Sequence, residues 1–532
     1  MMDNKNTLAV MLDCSRNAVM KVETVKKYAD VISKMGYNAL MLYTEDTYEI
    51  KGEPYFGYLR GRYSKEEIKE LDGYLKSKGI ELIPCVQTLA HYSCLFKWDA
   101  YSNVHDTADI LLVDEEKTYE LLEKVISTAK ECFSSNRINI GMDEAHMVGL
   151  GKYLDKHGYQ DRFELFFRHL KKVCDLCEKY EFKPMMWSDM LFRLANKGSY
   201  YTTEDVVIPE RILKLLPKNI ELVYWDYYKI NSKRVDNMLD IHKKFGKKIW
   251  YASGSWTWSG FVPHNRFSID STKVGATSCK KYKIKDVFTT VWGDDGAECS
   301  KFSVLPAVFF QAELVKKDDI DKAKFEEIVG VSYDDFLLLD LPDFITKECP
   351  HNPDKYGLYN DYFLGIFDGL EEIQDYCVID KIKLSRQKLE KVDGKDYQYI
   401  FDCLVALCVV LEKKLCLGVM TRRAYKKGDR EELNRLIVSY YEPLEKDIES
   451  FYNLFKKCWF IENKPFGFEV HDARLGGLIQ RTKSCAQRLR DFVDGKISKI
   501  EELEEEILSP TIYSQEYFAK NKYLDSITTG IT

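Results

Sequence analysis

Two adjacent carboxylates, Asp143 and Glu144, follow an apolar run in the segment INIGMDEAHM. Neighbouring acids of this kind can divide proton transfer and charge stabilisation between them, which is general acid–base chemistry. With the next two residues the pair also spells DEAH, a string associated with helicase-type NTPases. Asp143, His146 and His91 could instead be ligands of a metal ion. The segment therefore raises three hypotheses: a nucleotide enzyme, a metal site, or a pair of catalytic acids.

A nucleotide enzyme of the P-loop type needs the pattern GxxxxGK[ST], whose amides and lysine hold the phosphates. The nearest segment is GLGKY at 149–153, which has Tyr153 in place of Ser or Thr and His146 in place of the first Gly. A formal net charge of −7 also gives no general attraction to polyanions. We therefore expect neither nucleotide hydrolysis nor nucleic-acid binding.

A metal centre has little support, because the nine His residues are spread thinly and no HxxxH or HExxH spacing occurs. Cys174 and Cys177 form a CxxC pair, but they lie inside a predicted helix. We therefore expect no metal ion and no other cofactor. The acid pair remains, and the surrounding elements must position it.

Short apolar runs recur along the first 300 residues, and most of them end on acidic or amide side chains. They are TLAVMLD, ALMLYTED, ELIPCVQ, INIGMDE, PMMWSD, ELVYWD, KKIWYASG and VFTTVWGDD. From Asp13 to Asp294 their ends are about 40 residues apart, which is the scale of a βα unit. Amphipathic stretches such as ETVKKYADVISKMG, which ends at Gly36, fill most gaps.

Continuous apolar runs indicate strands that are covered on both faces. Eight such units predict an α/β fold, a (β/α)8 TIM barrel, over residues 1–335; an open doubly wound sheet is the competing fold. Long charged amphipathic helices follow, so residues 336–532 are predicted to form a mainly α-helical C-terminal domain. Fifteen scattered Cys, no evident signal peptide and no long apolar run favour a cytoplasmic protein without a membrane segment.

Tryptophan is concentrated at the ends of the predicted strands, at Trp187, Trp225, Trp256, Trp258 and Trp292. In a barrel, the C-terminal ends of the strands carry the chemistry. Solvated loops explain an Asp or a Ser at a strand end, but they do not explain five indoles. Flat apolar walls with carboxylates at the rim suit a sugar, whose faces carry C–H groups and whose edge carries hydroxyls.

Six strand-end motifs resemble those of glycoside hydrolase family 20, the β-N-acetylhexosaminidases. NIGMDE (139–144) is similar to the family signature H-x-G-G-D-E, and DCSRN (13–17) to its D-x-S-R-H segment. The other four are QTLAH (87–91), WSD (187–189), YWD (224–226) and WGD (292–294). The sequence departs from the family pattern at Asn139, Met142 and Asp294, which replace His, Gly and Glu.

The resemblance implies an exo-acting, retaining β-N-acetylhexosaminidase that removes terminal GlcNAc or GalNAc from oligosaccharides or glycoconjugates. In such substrate-assisted enzymes the 2-acetamido oxygen of the sugar attacks the anomeric carbon, which gives an oxazolinium intermediate. Glu144 would be the general acid and then the base, and Asp143 would orient the acetamido group. The implied substrate-binding residues are Arg16, His91, Trp187, Tyr224, Asp226, Trp256, Trp258, Trp292 and Asp294.

Several alternatives stay open at this point. Arg16 and His91 could have structural roles, and Tyr227 or Tyr228 could replace Tyr224 at the acetamido oxygen. Another acetamido-assisted glycosidase, of the O-GlcNAc hydrolase type, would usually have two adjacent Asp residues. A catalytically silent sugar-binding barrel and a glycosidase without acetamido dependence are further alternatives. The sequence does not decide between GlcNAc and GalNAc, nor between a monomer and a homodimer.

Overall fold

The structure, a computed structural model, describes residues 6–196, 198–204, 206–316, 320–343, 353–369 and 376–508. The chain divides into two compact units. The barrel unit comprises Met1–Ser255, Ser268–Trp292 and Ala307–Ile320, and the helical unit comprises Trp256–Phe267, Gly293–Pro306 and Asp321–Thr532. The division into residues 1–335 and 336–532 stays a prediction.

Eight parallel strands form a closed barrel in the order β1 to β8. The strands are β1 Leu8–Asp13, β2 Ala39–Tyr43, β3 Glu81–Cys85, β4 Arg137–Asn139, β5 Lys183–Trp187, β6 Glu221–Trp225, β7 Ile249–Gly254 and β8 Asp286–Val291. The last strand pairs with the first, with Leu8 opposite Val287 and Leu12 opposite Val291. This closure confirms the predicted (β/α)8 barrel and excludes the open sheet.

The strands are buried on both faces, as the continuous apolar runs predict. Every residue of β1, β2, β7 and β8 is buried. A strand with both faces covered is typical of a parallel sheet that lies between its own packed interior and a layer of helices. The polar residues that follow each strand therefore lie at one end of the barrel.

Helices follow the strands of the barrel in sequence. Up to residue 316 they are α1 Val22–Met35, α2 Lys65–Ser77, α3 Glu116–Cys132, α4 Lys152–His157, α5 Arg162–Lys179, α6 Asp189–Ala195, α7 Glu210–Leu215, α8 Ser232–Lys244, α9 Asn265–Tyr282 and α10 Leu305–Lys316. Helix α1 ends at Gly36, whose φ of 95° lets its N–H reach the carbonyls of Ile32 and Ser33. Helix α2 begins with a capping box formed by Ser64 and Glu67.

The C-terminal region is helical, as predicted. Its helices are α11 Lys322–Val329, α12 Tyr333–Phe336, α13 Pro353–Tyr359, α14 Cys377–Leu389, α15 Gln398–Lys414, α16 Leu417–Lys426, α17 Arg430–Leu436, α18 Glu442–Glu462, α19 Phe468–Val493 and α20 Glu501–Glu504. Within the helical unit, the buried Glu298 accepts from Lys355 at 2.7 Å and from Arg474 at 3.1 Å. In the part of the chain that the structure describes, no helix has the length and apolar character needed to cross a bilayer.

Candidate active site

The chain turns sharply after β4, and this turn carries the two adjacent acids. Gly141, Met142 and Glu144 have positive φ values of 70°, 74° and 53°. Left-handed backbone is disfavoured for residues with a Cβ by about 1–2 kcal/mol, so two such residues in one turn indicate local strain. Met142 therefore occupies a conformation that a glycine would adopt without strain, at the position where the family signature has glycine.

The side chains beneath this turn hold it closely. Asn139, which replaces the signature His, accepts the Gly141 N–H on its Oδ1 at 2.9 Å. A Cβ on Gly141 would collide with Oε1 of Gln87. Only a glycine thus lets the turn approach Gln87, and Gln87 in turn contacts the first acid.

Asp143 is held by two donors from the end of β3. Nε2 of Gln87 donates to Oδ1 at 3.0 Å, and Nε2 of His91 lies 3.0 Å from Oδ2. The residue is only 8% exposed. Burial by itself would raise the pKa of Asp143, but the charge and hydrogen bond of His91 lower it below its ordinary value. Asp143 is therefore an oriented, ionised carboxylate.

His91 is the counterion of this carboxylate. Its backbone is also left-handed, with a φ of 63°. Burial by itself would lower the pKa of His91, but the charge of Asp143 and its hydrogen bond raise that pKa to about 9. At neutral pH the ring is an imidazolium that donates from Nε2 to Asp143.

A chain of contacts continues from Asp143 to the ends of β1 and β2. Nε2 of Gln87 also donates to the hydroxyl of Tyr43 at 2.9 Å. That hydroxyl donates to Oε1 of Glu45 at 3.3 Å, and Nε of Arg16 donates to the same oxygen at 2.7 Å. The Nη2 atom of Arg16 lies 3.3 Å from Nδ1 of His91. Because the imidazolium carries a proton on both nitrogens, these two groups are in contact without a hydrogen bond, and the charge of Arg16 opposes the rise in the pKa of His91. We call these six residues, 16, 43, 45, 87, 91 and 143, the carboxylate network.

Glu144 has different surroundings from its neighbour. Its side chain is 43% exposed, with Oε2 4.0 Å from Nε2 of His91 and Oε1 3.6 Å from Nη2 of Arg193. Its backbone N–H donates to Oδ2 of Asp189 at 3.0 Å. The two acids therefore differ in access, because one is buried in a network and the other is open to incoming molecules.

Aromatic rings gather around Trp292, the residue that follows β8. Its ring centroid lies 4.7 Å from that of Tyr43 and 6.1 Å from that of Trp187. The guanidinium of Arg16 lies 5.8 Å from the same ring. The indole N–H donates to the hydroxyl of Tyr227 at 3.1 Å. These rings give the strand ends of the barrel unit an aromatic wall next to the carboxylate network.

Tyr224 and Asp226 have buried partners of their own. The hydroxyl of Tyr224 donates to Oδ2 of Asp226 at 2.7 Å, and Arg234 of α8 donates to both carboxylate oxygens of Asp226. The Tyr224 ring lies 4.9 Å from that of His242, also on α8. The structure thus places this pair against helix α8, whereas Tyr227 is the tyrosine that contacts Trp292.

The remaining predicted residues belong to the helical unit. Trp256 and Trp258 stack on each other with their ring centroids 4.2 Å apart. Asp294 begins a short 3-10 turn, Asp294–Gly296. Their proposed contacts with a sugar stay predictions. Across the described ranges, the structure has no group of three or more acidic, His or Cys side chains arranged to hold a metal ion.

Two family models match the chain. The model described as "Glycosyl hydrolase family 20, catalytic domain" matches residues 9–241, and that described as "Glycoside Hydrolase 20C C-terminal domain" matches residues 334–521. The chain belongs to glycoside hydrolase family 20. It is therefore a glycoside hydrolase, as the strand-end motifs predict.

Relatives of this family 20 chain include hexosaminidase D of Bos taurus and of Homo sapiens. The bovine protein is 26% identical over 46% of this chain and 68% of its own length. The human protein is 24% identical over 60% of this chain and 68% of its own length. The solved β-N-acetylhexosaminidase from Bacteroides fragilis is 20% identical, with a TM-score of 0.44, over 58% of this chain and 65% of that one.

Sequence motifs alone did not assign several residues that the structure places around the acid pair. Gln87 is the first residue of QTLAH, and Asp189 is the last of WSD, so both lay inside recognised motifs. Glu45 follows β2, and the sequence did not indicate whether its side chain contacts a sugar or only solvent. Arg193 lies four residues after Asp189, a spacing that brings two side chains of one helix together. The signal for Gln87, Asp189 and Glu45 was position at a strand end, and the signal for Arg193 was its helical spacing from Asp189.

The His91–Asp143 pair predicts a pH-dependent stability. Because the pKa of His91 is raised to about 9, the stabilisation is complete below the unfolded value of about 6.5 and is lost as the pH rises through 9. Between those limits we expect the free energy of unfolding, measured with urea, to fall by up to about 3 kcal/mol. His91→Asn should remove most of this dependence. His157→Asn, at the exposed end of α4, should keep it; a wild-type profile in His91→Asn would contradict the assignment.

Proposed function

We propose that this chain is an exo-acting β-N-acetylhexosaminidase that hydrolyses terminal, non-reducing β-linked GlcNAc or GalNAc residues with retention of configuration. The observation that carries the proposal is the contrast between the two adjacent acids. Asp143 is ionised, buried and held by Gln87 and His91, whereas the Glu144 side chain is 43% exposed. One acid is suited to orient a group and the other to exchange a proton.

In the first step the acetamido oxygen of the substrate attacks the anomeric carbon while the glycosidic bond breaks. Glu144 donates its proton to the departing oxygen. The acetamido N–H faces Asp143, whose negative charge stabilises the positive charge of the oxazolinium ring. In the second step Glu144 takes a proton from water, the water oxygen bonds to the anomeric carbon, and the ring opens to restore the acetamido group.

The surroundings of Asp143 support a nucleophile that comes from the substrate. In ordinary retaining glycosidases a second carboxylate attacks the anomeric carbon and forms a covalent ester. Here each carboxylate oxygen of Asp143 already accepts a hydrogen bond, and only 8% of the residue is exposed. A carboxylate in this state is better placed to accept an N–H than to approach a carbon atom.

The aromatic wall supports a specific choice among the candidate tyrosines. We propose Tyr227 as the donor to the acetamido oxygen, because its hydroxyl lies 3.1 Å from Nε1 of Trp292. Tyr224 already donates to Asp226, in a buried pair with Arg234. Trp187 and Trp292 would enclose the acetamido methyl. Arg16, bonded to Glu45, would bind the distant hydroxyls of the sugar.

The test compares 4-nitrophenyl β-N-acetylglucosaminide and β-N-acetylgalactosaminide with 4-nitrophenyl β-glucoside. We expect the acetamido substrates to react faster by about 10³-fold or more, since an oriented internal nucleophile provides a large effective molarity. A thiazoline analogue of the cyclic intermediate should inhibit competitively. Comparable rates on the glucoside, or a glycosyl ester on the protein detected by mass spectrometry, would overturn the proposal.

A further inference from the structure

A buried ion pair lies directly behind Glu144. Asp189, the first residue of α6, is fully buried, and its Oδ2 accepts the backbone N–H of Glu144 at 3.0 Å. The same oxygen accepts Nε–H of Arg193 at 3.0 Å. One oxygen of Asp189 thus accepts hydrogen bonds from both the backbone of Glu144 and the guanidinium of Arg193, which lies on α6, the helix after β5.

Arg193 extends from this pair to the side chain of Glu144. Its Nη2 lies 3.6 Å from Oε1 of Glu144, and its Nη1 donates to the carbonyl of Gly198 at 3.3 Å. The guanidinium also lies 5.9 Å from the ring of Tyr200. Only 18% of the Arg193 side chain is exposed, so the guanidinium has a fixed position beside the carboxylate.

An ordinary salt bridge within one helix would not have these properties. Pairs four residues apart are common on helix surfaces, where they contribute a few tenths of a kcal/mol. Asp189 is instead buried, and it binds the N–H of a residue in left-handed backbone on a different loop. Among the described residues no group donates a hydrogen bond to its second oxygen, Oδ1. Burial and then the charge of Asp143 raise the pKa of Asp189 to about 7, against the opposing effect of Arg193.

We propose that Asp189 and Arg193 are positioning residues for the proton transfers of Glu144. The proposal depends on the proposed function, in which Glu144 is the acid and then the base. Asp189 fixes the backbone of Glu144 through the hydrogen bond from its N–H. Arg193 holds the side chain of Glu144, which is otherwise open to solvent, near its guanidinium. When Glu144 donates its proton to the departing oxygen, the new carboxylate forms beside the guanidinium and is attracted to it. In the second step Glu144 takes a proton from water and loses its negative charge, so the attraction to the guanidinium ends.

The test uses aryl β-N-acetylglucosaminides whose phenols range from 2,4-dinitrophenol to unsubstituted phenol. The variants are Asp189→Ala and Arg193→Gln, with Glu144→Gln as the reference. For poor leaving groups we expect each variant to lose about 100-fold in kcat/KM, because a small displacement of a catalytic group has an effect of this size. For 2,4-dinitrophenol, which departs without a proton, the loss should stay within about threefold.

The matched control is Arg137→Gln, at the opposite end of β4. Nε of Arg137 donates to Oε1 of Glu81 at 3.1 Å, so this change also breaks an arginine–carboxylate pair. It should leave the dependence on leaving group unchanged. Binding of the thiazoline inhibitor and circular dichroism report whether each variant keeps a folded site, and Arg193→Gln tests the proposal if Asp189→Ala does not fold.

The outcomes separate the two proposals. If Glu144→Gln itself shows no dependence on leaving group, the proposed acid is wrong and the proposed function fails with it. If Glu144→Gln shows the dependence but Arg193→Gln does not, only the positioning role is overturned. An equal loss for all leaving groups in folded variants also overturns it, because a general disturbance of the pocket would act on every substrate alike.

Discussion

Asp143→Asn is expected to lower kcat/KM on 4-nitrophenyl β-N-acetylglucosaminide by about 10²–10³-fold. A loss of this size is typical when one preorganised group that stabilises charge in the transition state is removed. The variant keeps the size of the side chain but removes the negative charge that we propose faces the acetamido N–H. It also leaves the buried His91 without its counterion, so the ring should be neutral at pH 7. Steady-state kinetics at pH 7 measure this loss.

The acetamido group provides the internal comparison for Asp143→Asn. If Asp143 acts on that group, the preference for β-N-acetylglucosaminide over β-glucoside should fall together with the rate. Asp99→Asn, an exposed carboxylate in the loop after β3, is the control and should retain both. An Asp143→Asn variant that keeps the wild-type preference would argue that Asp143 does not contact the acetamido group.

Much of the barrel can be read from the sequence, because burial of both strand faces leaves a continuous apolar run. Each of the eight runs overlaps one strand, although β4, β5 and β8 begin one residue before their runs and β4 has only three residues in strand conformation. Ile140 follows the strand, and Gly141 and Met142 belong to the left-handed turn instead. Hydrophobicity indicates that this segment is buried, but it does not distinguish a strand from a tight turn.

The choice among the tyrosines proposed for the acetamido group shows what the sequence could not predict. Alternation along β6 correctly predicts that Tyr224 and Asp226 share a face, since the two are hydrogen-bonded. It does not say which face, because both faces of the strand are buried and apolar. The structure puts that pair against His242 of α8 and places Tyr227 next to Trp292.

The partners of Asp143 could not be predicted for a related reason. Gln87 and His91 come from the end of a different strand, and their contacts with Asp143 depend on the close approach of Gly141 to Gln87. A motif identifies the residue types at each strand end, whereas hydrogen bonds between strand ends depend on the barrel geometry. The motifs thus predicted the acid pair, and the fold supplied its network.

Glu144→Gln is expected to have the largest effect on substrates that need a proton. For phenyl or alkyl β-N-acetylglucosaminides we expect kcat/KM to fall by about 10³–10⁴-fold, towards the upper range of general acid catalysis. For 2,4-dinitrophenyl β-N-acetylglucosaminide the fall should be within about tenfold. The reason is that kcat/KM includes only the steps up to departure of the leaving group, and dinitrophenolate departs without a proton.

The second step, in which water opens the oxazolinium ring, provides an independent test of the same variant. Glu144→Gln cannot take a proton from water, so the oxazoline formed from the dinitrophenyl substrate should break down slowly. We therefore expect kcat to fall more than kcat/KM on that substrate, and oxazoline to be detectable by mass spectrometry after rapid quenching. If kcat/KM instead fell by the same factor for every leaving group, Glu144 would not be the group that protonates the departing oxygen, and the proposed function would fail.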